Sequence, residues 1–241
     1  ILFSNDAFGQ HVAHSKRFDE DYNTEYLLRE AQKYYANLVT LGSPMLRMKL
    51  DELTNTGLIN DIKMIAPCHG QIWKNPAPIV EKYSEWGSGV WKDKITVIFD
   101  TMHHSTEKLA YQIAEGIMSE DVEVAMYFMQ EDGPDDVITD ILDSKAIALG
   151  APTMMNKPFP RIGNMMYWLD CVNFKGTGSE KNALIFSSKG WGGGAIAKLQ
   201  RDLEEAGFTV TDTLDVLFVP DEDVLAEAFE KGAERARSIK E

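Results

Sequence analysis

The stretch that decides the fold is residues 95–110, which read Ile-Thr-Val-Ile-Phe-Asp-Thr-Met-His-His-Ser-Thr-Glu-Lys-Leu-Ala. The first five residues favour β structure and predict a strand of the buried type. Ser105, Thr106 and Glu107 supply hydroxyl caps and an acidic first turn, which predict a helix that runs to about Ser119. The stretch therefore predicts a strand, a hydroxyl-rich loop and a helix whose amino end faces that loop.

The amino end of this predicted helix suits a small anion. Its free N–H groups and the positive end of the helix dipole attract negative charge, and Thr101, Ser105 and Thr106 add hydroxyl donors. The loop has no lysine or arginine, and it lacks both the Walker A pattern and the glycine spacing of a dinucleotide fingerprint. It thus predicts binding of a mononucleotide phosphate by hydroxyl and amide groups. The alternative is that Ser105 and Thr106 only cap the helix.

Composition and charge indicate which kinds of molecule the protein could bind. Apolar residues make up 44% and aromatic residues 10% of the 241-residue chain, which is typical of a globular protein with one large or two smaller domains. The net charge of −14 is uneven, because residues 1–93 carry −2 and residues 94–241 carry −12. Nucleic-acid binding needs a basic surface, so we expect no nucleic-acid partner and a small anion that is held locally.

Cysteine usage and hydropathy bear on the compartment. Cys68 and Cys171 lie 103 residues apart without C-x-x-C spacing, which predicts a reducing, cytoplasmic setting and excludes a cysteine-based iron or zinc module. No apolar run reaches membrane-spanning length, so we expect no membrane partner. The chain begins at Ile1 in mid-strand without a signal-peptide pattern, and we expect an amino-terminal portion before it.

Two strand ends in the first third of the chain carry possible metal ligands. Residues 1–4 predict a short strand followed by Asp6, and residues 61–70 predict a second strand that ends at the loop residue His69. Loops at strand ends often carry chemistry, and a carboxylate and an imidazole are both metal ligands. The alternatives are a turn-forming Asp6 and a hydrogen-bonded His69. The nearby His11 and His14 are not assigned as ligands.

The helices between and after these strands lead to a domain junction. Apolar spacing predicts helices over residues 24–41 and 44–53, and Pro76 and Pro78 open a third that extends through Trp86. A Gly-Ser-Gly sequence follows this third helix. We therefore expect one domain over residues 1–93, including the linker, and a second over residues 94–241.

From Lys94 onward the pattern alternates between strands and helices. Strands are predicted at residues 94–99, 122–128, 145–149, 182–186 and 209–218, and helices at residues 106–119, 134–142, 160–170, 193–206 and 221–239. Five strands alternating with five helices predict an α/β fold with a doubly wound, five-stranded parallel sheet. The ligand of such a sheet lies at the carboxyl ends of strands beside the switch point, so the loops after the first, third and fourth strands matter most.

The loops after the third and fourth strands suit a flat heterocycle. The first of them spans residues 150–157 and offers Thr153 and Asn156 for polar contacts at a ring edge. The second spans residues 187–194, where Trp191 offers an aromatic face and the glycines allow backbone N–H groups to approach closely. A glycine cluster alone is more often just a turn, but three suitable loops at three strand ends favour a binding site.

These loops resemble those of flavodoxin, and more narrowly those of the flavodiiron proteins, also called A-type flavoproteins. The similarity rests on Gly-Ala-Pro-Thr at 150–153 and Lys-Gly-Trp at 189–191. The front segment is similar as well, through Ser-Asn-Asp-Ala-Phe-Gly at 4–9 and Ile-Ala-Pro-Cys-His-Gly at 65–70. The resemblance implies a flavodoxin-like sheet preceded by the later half of a metallo-β-lactamase-like αββα domain.

The resemblance also implies cofactors and the residues that hold them. In that family the residue matching Asp6 bridges two irons and the residue matching His69 binds one of them, which makes both metal ligands and catalytic. FMN would contact the three loops of the sheet. The implied FMN-contacting residues are Thr101, Met102, His103, His104, Ser105, Thr106, Pro152, Thr153, Met154, Met155, Asn156, Ser187, Ser188, Lys189, Gly190, Trp191, Gly192 and Gly193.

One departure from the family pattern concerns the remaining iron ligands. The family's H-x-E-x-D-H cluster and a further histidine belong before Ile1, and no such pattern occurs in the chain. The residues present therefore cannot complete a diiron site by themselves. We expect the chain to be the carboxyl-terminal part of a longer polypeptide.

A narrower resemblance concerns the electron donor. The pair His103-His104 and the lack of a rubredoxin-like cysteine module are similar to the methanogen branch of the family, whose members oxidise the reduced deazaflavin coenzyme F-420. The alternative is that the two histidines are solvated loop residues. The implied function is an oxidase that passes electrons from the deazaflavin through FMN to a nonhaem diiron centre, where dioxygen is reduced to water.

Other functions stay open at this point. The same centre would serve a nitric oxide reductase, a flavodoxin-like module alone would serve an electron carrier, and a lactamase-like fold with zinc would serve a hydrolase. Family members place the flavin of one subunit against the diiron site of another. The resemblance therefore implies a head-to-tail homodimer or a dimer of dimers.

Overall fold

The computed structural model of the chain describes residues 1–177 and 181–240. These residues separate into two compact units. The first comprises Ile1–Val90 with a short segment at 176–177, and the second comprises Trp91–Lys175 and the chain from Lys181 onward. Each unit carries one group of predicted site residues and is described by itself.

The first unit joins a two-stranded sheet to three helices. Its elements are β1 (Leu2–Asn5), α1 (Thr24–Tyr34), α2 (Ser43–Asn55), β2 (Ile65–Pro67) and α3 (Ala77–Ser88). The strands pair in parallel, with Leu2 opposite Ile65. Parallel pairing brings both carboxyl ends to the same edge of the sheet. The loops that follow β1 and β2 therefore start side by side.

The helix predicted over residues 24–41 is present, but the type of helix changes in its second half. The α-helix ends at Tyr34 and continues as a π-helical turn over Tyr35–Val39 and a 3-10 turn over Thr40–Gly42. The hydroxyl of Thr40 donates to the carbonyls of Ala36 at 2.9 Å and Tyr35 at 3.1 Å, and so competes for the acceptors that a regular helix would use. The apolar spacing persists through this segment while the backbone geometry changes.

The second unit contains a five-stranded parallel sheet, as the alternating pattern predicted. Its elements in chain order are β3 (Lys92–Phe99), α4 (Ser105–Met118), β4 (Glu123–Phe128), α5 (Pro134–Asp143), β5 (Ser144–Gly150), β6 (Thr153–Met154), β7 (Lys157–Pro158), α6 (Pro160–Val172), β8 (Lys181–Lys189), α7 (Ala195–Glu205), β9 (Phe208–Leu217) and α8 (Glu222–Lys240). The short strands β6 and β7 form an antiparallel hairpin outside the main sheet.

The strand order of the main sheet is β4-β3-β5-β8-β9. The chain runs outward from β3 to β4 and then returns to the other side of β3, so the direction of winding reverses between β3 and β5. Helices α4 and α8 pack on one face, against Ile95, Val97 and Phe99 of β3. The doubly wound fold class predicted from the sequence is confirmed, and its crevice falls at the carboxyl ends of β3 and β5.

The amino end of α4 differs from its prediction in one respect. The helix begins at Ser105, and the N-cap is His104, whose φ of 63° is left-handed and whose side chain makes no capping hydrogen bond. Ser105 and Thr106 therefore lie inside the first turn and do not cap the helix. The first N–H groups of α4 thus have no side-chain cap and point toward the loop after β3.

A buried cationic cluster lies at the opposite, amino-terminal edge of the sheet. The ammonium of Lys94 contacts the carboxylates of Asp140 and Asp143. Lys181 donates from Nζ to the carbonyl of Ser144 at 2.6 Å and lies 3.5 Å from the centre of the Trp91 ring. Complete burial lowers the pKa of Lys181 well below its usual value. This cluster stands at the end of the sheet away from the crevice.

Lys181→Met should flatten the dependence of stability on pH. The unfolded chain holds the lysine proton up to about pH 10, whereas the folded chain releases it at a lower pH, so wild-type stability rises with pH in this window. Each pH unit over which only the unfolded state holds the proton raises the free energy of unfolding by about 1.4 kcal/mol. Urea denaturation from about pH 7 to about pH 10 measures this rise, and the variant should lack it. Lys63→Met, which removes an exposed lysine, is the control, and parallel curves for wild type and Lys181→Met would contradict the assignment.

Candidate functional site

A cavity of about 530 Å³ opens at the carboxyl edge of the five-stranded sheet. This volume lies within the range of small-molecule and cofactor sites in proteins. Its walls come from the loops after β3, β5 and β8, from the β6–β7 hairpin, and from the residues that follow β9. The lining residues are Met102, His103, Ser105, Pro152, Thr153, Met154, Met155, Asn156, Ser188, Lys189, Gly190, Trp191, Gly192, Phe218 and Val219.

The loop between β3 and α4 contains polar atoms that are buried without a protein partner. The residue Thr101 is 4% exposed, and its Oγ1 has no hydrogen-bond partner among the described residues. The carboxylate of Asp100 accepts at Oδ1 from the amide of Thr101 and from Nε2 of Gln130, each at 2.8 Å. Gln130 thus fixes the loop and leaves the Thr101 hydroxyl available. Buried hydroxyls are normally paired, so this one points to a missing acceptor.

Two pairs of hydroxyls, one buried and one partly buried, join the walls of the cavity. Oγ1 of Thr106, at the start of α4, lies 2.8 Å from Oγ of Ser188, near the carboxyl end of β8. Oγ1 of Thr153 accepts from the amide of Ala195 at 3.3 Å and lies 3.4 Å from Oγ of Ser187. The three loops that the sequence singled out are therefore tied to one another by side chains of the predicted site.

The structure gathers most of the residues predicted to contact FMN around this cavity. Thirteen of the eighteen line it. The others do not line it: Thr106 and Ser187 are fully buried behind the wall, Thr101 is buried in the loop, and His104 turns outward to pair with Glu107 at 2.5 Å. Gly193 is also absent from the lining. The contacts of these residues with a flavin stay predictions.

Two lining residues were missed by the sequence prediction, Phe218 and Val219. They follow β9, are 62% and 64% exposed, and lie at the mouth of the cavity. The amide of Phe218 donates to the carbonyl of Lys189 at 2.7 Å, which holds this segment beside the loop after β8. The apolar run at residues 216–220 could have indicated these two residues, because it continues beyond the end of the alternating strand pattern.

The rim of the cavity is apolar and open to solvent. Trp191 is 90% exposed and Met155 is 88% exposed, and they stand at the mouth with Phe218 and Val219. Flat aromatic faces and polarizable methionines favour stacking with a planar ring. Below the rim, Lys189 is paired with Asp215 at 2.6 Å. The arrangement suits a ligand with a planar ring at the mouth and an anionic group at the amino end of α4.

The second candidate site lies in the first unit, where the loops after β1 and β2 meet. Oδ1 of Asp6 is 3.6 Å from Nε2 of His69 and 3.2 Å from Sγ of Cys68. One ligand atom from each of these residues lies within 4.8 Å of the others. The structure therefore places the two predicted metal ligands together and adds a cysteine that the sequence prediction did not include.

Tyr34 also contacts this group. Its hydroxyl donates to Oδ1 of Asp6 at 3.2 Å from a nearly buried ring. Desolvation and the negative charge of Asp6 raise the pKa of Tyr34 to about 12, and the hydrogen bond to Asp6 raises the pKa of the Cys68 thiol. At neutral pH both groups are therefore protonated donors to the same carboxylate oxygen.

The loop that carries His69 is fixed by a side chain from the first loop. The amide of Gln71 donates to Oε1 of Gln10 at 2.6 Å, and Nε2 of Gln10 donates to the carbonyl of Gln71 at 3.2 Å. Gly70 has a φ of 80°, and a Cβ there would lie 2.4 Å from the backbone oxygen of Gln10. Glycine is required at this position by both conformation and space.

Known proteins resemble the chain in both sequence and structure. Residues 97–232 match the family model described as flavodoxin, which covers more than half of the chain. The coenzyme F-420H(2) oxidase of Methanocaldococcus jannaschii is 46% identical over 100% of this chain and 59% of its own length. The anaerobic nitric oxide reductase flavorubredoxin of Klebsiella pneumoniae is 35% identical over 98% of this chain and 48% of its own length.

A solved structure resembles the chain in fold over nearly its whole length. The rubredoxin oxygen:oxidoreductase from the anaerobe Desulfovibrio gigas superposes with a TM-score of 0.92 and 27% identity, over 99% of this chain and 59% of that one. The present chain therefore spans about three fifths of the length of the first curated relatives it matches. No helix within residues 1–177 and 181–240 is long and apolar enough to cross a membrane.

The match over residues 97–232 and the doubly wound sheet show that the chain belongs to the flavodoxin family. The narrower resemblance is confirmed as well. Over nearly its whole length, including the first unit, the chain is similar to flavodiiron proteins and to relatives named coenzyme F-420H(2) oxidase.

Gly70→Ala should destabilise the protein more than Gly57→Ala does. Both glycines have positive φ, 80° and 76°, but a Cβ at Gly57 meets nothing within 4 Å, whereas a Cβ at Gly70 collides with Gln10. The strain alone costs about 1–2 kcal/mol, and the collision adds about 1–3 kcal/mol. Urea denaturation of the two variants measures the difference. Equal losses of unfolding free energy would show that Gln10 moves aside without cost.

Proposed function

We propose that this chain is the flavin-binding and partial metal-binding portion of a flavodiiron oxidoreductase. A reduced deazaflavin of the coenzyme F-420 type is the electron donor, and dioxygen is reduced to water. The observation that carries the proposal is the pairing of β1 with β2, which sets Asp6 and His69 3.6 Å apart in a chain that also has a flavodoxin sheet. The relatives named coenzyme F-420H(2) oxidase support the choice of donor.

The residues of the second unit fit FMN. Its phosphate would accept hydrogen bonds from the first N–H groups of α4, which lack a side-chain cap, and from the buried Thr101 hydroxyl, which lacks an acceptor. Ser105 lines the cavity beside them. Its ring would lie against the exposed apolar rim, where Trp191 offers a face. The same fit explains why the loop needs no basic residue to hold an anion.

The residues of the first unit fit iron. The carboxylate of Asp6 supplies hard oxygen donors, and the imidazole of His69 binds either oxidation state of iron. The resemblance assigns Asp6 to a bridging position and His69 to one of the two metals. Tyr34 and Cys68 both donate to Oδ1 of Asp6 and so orient the carboxylate before any metal binds.

The chemistry explains why one protein has both sites. Bound FMN would supply the conversion from hydride transfer to single-electron transfer, and iron held with the help of Asp6 and His69 would supply the site for dioxygen reduction. The chain's own task is to bind and orient these groups. The cavity lining, which includes Thr153 and Ser188, would hold the flavin, while Tyr34 keeps a proton on its hydroxyl beside Asp6 at neutral pH.

A second candidate function is the reduction of nitric oxide at the same centre. The relative named anaerobic nitric oxide reductase flavorubredoxin, 35% identical to this chain, supports it. The two functions would share Asp6 and His69, so they are separated by measurement of turnover with each gas. We further propose that the protein acts as a head-to-tail homodimer or dimer of dimers in the cytoplasm.

Thr101→Val should weaken FMN binding without destabilising the apoprotein. The hydroxyl has no partner within the described residues, so its loss leaves no protein group unpaired, whereas a hydrogen bond to a charged phosphate is worth about 1.5–3 kcal/mol. We expect a tenfold to hundredfold rise in the dissociation constant of FMN in fluorescence titrations. Thr139→Val is the control, because that hydroxyl donates to the carbonyl of Asp135 far from the cavity. Unchanged affinity in Thr101→Val would place the phosphate elsewhere.

Asp6→Ala and His69→Ala should each lower iron content and gas reduction but leave flavin content unchanged. Loss of a metal ligand lowers metal occupancy, while the FMN cavity belongs to the separate second unit. The variants are made in the full-length protein, with His14→Ala as the control because His14 is an exposed histidine outside the cluster. Iron, flavin and the uptake of dioxygen and of nitric oxide are measured together. Normal iron and normal uptake in both variants would contradict the proposed function.

A further inference from the structure

The loop after β8 approaches an ion pair closely because it has almost no side chains. Residues 190–194 read Gly-Trp-Gly-Gly-Gly. A Cβ placed on Gly193 would lie 3.0 Å from Oδ2 of Asp215 and 3.2 Å from Nζ of Lys189. Such close approach of backbone to neighbouring groups is a typical use of glycine. The backbone of this loop therefore packs directly against the pair formed by Lys189 and Asp215.

The ion pair joins the carboxyl ends of β8 and β9. Nζ of Lys189 lies 2.6 Å from Oδ2 of Asp215, and the two side chains are only 24% and 28% exposed. In the strand register Lys189 lies opposite Leu217, so its side chain reaches back along β9 to Asp215. The carbonyl of Lys189 accepts from the amide of Phe218 at 2.7 Å. Lys189 thus connects the two strands through its side chain and its backbone.

The pair places a positive charge in the wall of the cavity and a negative charge behind it. Among the described residues that line the cavity, Lys189 is the only lysine, arginine, aspartate or glutamate. Asp215 is not part of the lining and contacts Lys189 from outside it. Charges that are shielded from water interact more strongly than exposed ones. The field that a ligand experiences from this wall therefore depends on how far Asp215 neutralises Lys189.

The charge of a flavin changes with its oxidation state. Uptake of two electrons and one proton converts the neutral isoalloxazine ring into an anion. A nearby cation stabilises this anion more than it stabilises the neutral ring, and so raises the reduction potential. A carboxylate that neutralises the cation lowers the potential again.

We propose that Lys189 and Asp215 form a charge pair that sets the reduction potential of the bound flavin. The ammonium of Lys189 stabilises the reduced ring, and Asp215 is a positioning residue that holds this ammonium and limits its effect. The inference rests on the proposed binding of FMN in this cavity. It adds a role for Asp215, which does not line the cavity, and an electrostatic role for Lys189 beyond contact with the flavin.

The test is the FMN reduction potential of the full-length protein, measured without oxygen against redox dyes at about 0.15 M salt. Asp215→Asn removes the negative charge but keeps an oxygen acceptor, and the potential should rise. Lys189→Met removes the positive charge at similar side-chain length, and the potential should fall. Each variant should change the ratio of the affinities for reduced and oxidised FMN by about tenfold, which is about 30 mV for a two-electron couple.

A matched control and a double variant separate charge from structure. Asp212→Asn is the control, because Asp212 lies on the same strand, is 32% exposed and is paired with Lys231 at 2.8 Å, away from the cavity lining. It should keep the potential of wild type, since salt screens distant charges. The double variant Lys189→Met/Asp215→Asn loses both charges and should return close to the potential of wild type.

The outcomes distinguish this inference from the proposed function. Opposite shifts in the two single variants that cancel in the double variant support the inference. Shifts in the same direction, or loss of FMN from both single variants, would show that the pair only holds the loop, and would overturn it. FMN bound with unchanged potentials refutes the inference alone. If wild type binds no FMN in fluorescence titrations, the proposed function fails and the inference fails with it.

Discussion

Parallel pairing of strands is the constraint on which both candidate sites depend. In the second unit Phe99 lies opposite Gly150, and Gly150 lies opposite Phe186, so the strands that build the crevice reach their carboxyl ends at nearly the same level. In the first unit the pairing of β1 with β2 does the same for the loops of Asp6 and His69. Residues far apart in the sequence meet because parallel strands release their loops at one edge.

The loop after β3 keeps polar groups unpaired where a binding site is expected. A buried hydroxyl without a partner costs about 1–3 kcal/mol, and the uncapped first turn of α4 adds further unsatisfied N–H groups. Gln130 satisfies one oxygen of Asp100 but leaves the Thr101 hydroxyl free. Such a loop is less stable empty than a loop with capped and paired groups would be. An anion that accepts these hydrogen bonds removes the cost, which favours the folded state with its ligand bound.

The sequence predicted the second unit well because its signals are local. Strands such as residues 95–99 are short apolar runs, and each is separated from the next by a helix of clear periodicity. The first unit was predicted less well. The π-helical turn at Tyr35–Val39 depends on a competing hydrogen bond from Thr40, which apolar spacing cannot reveal. In the second unit, the sequence did not predict His104 as the N-cap of α4, because Ser105 and Thr106 are the more typical capping residues.

The candidate sites, too, could be predicted from the sequence only where their informative residues lie close together in the chain. Loops that carry several informative residues, such as those after β5 and β8, could be recognised from sequence. Single side chains brought in by tertiary structure could not. Phe218 lines the cavity because its amide is bound to the carbonyl of Lys189, and Cys68 meets Asp6 only through strand pairing. The cysteine rules used for sequences look for pairs at fixed spacing, so one cysteine beside a carboxylate and a histidine gives no signal.

The hydrogen bonds between Gln10 and Gln71, next to Asp6 and His69, hold together two segments that are far apart in the sequence. Asp6 and His69 are 63 positions apart in the sequence. A cation that binds both residues therefore links the two ends of a chain segment of that length. Closing such a loop in an unfolded chain costs about 4 kcal/mol of conformational entropy. In the folded chain β1, β2 and the Gln10 side chain have already closed it. A metal at this site would therefore act as a removable cross-link between two distant segments, and its affinity would report whether the segments are together.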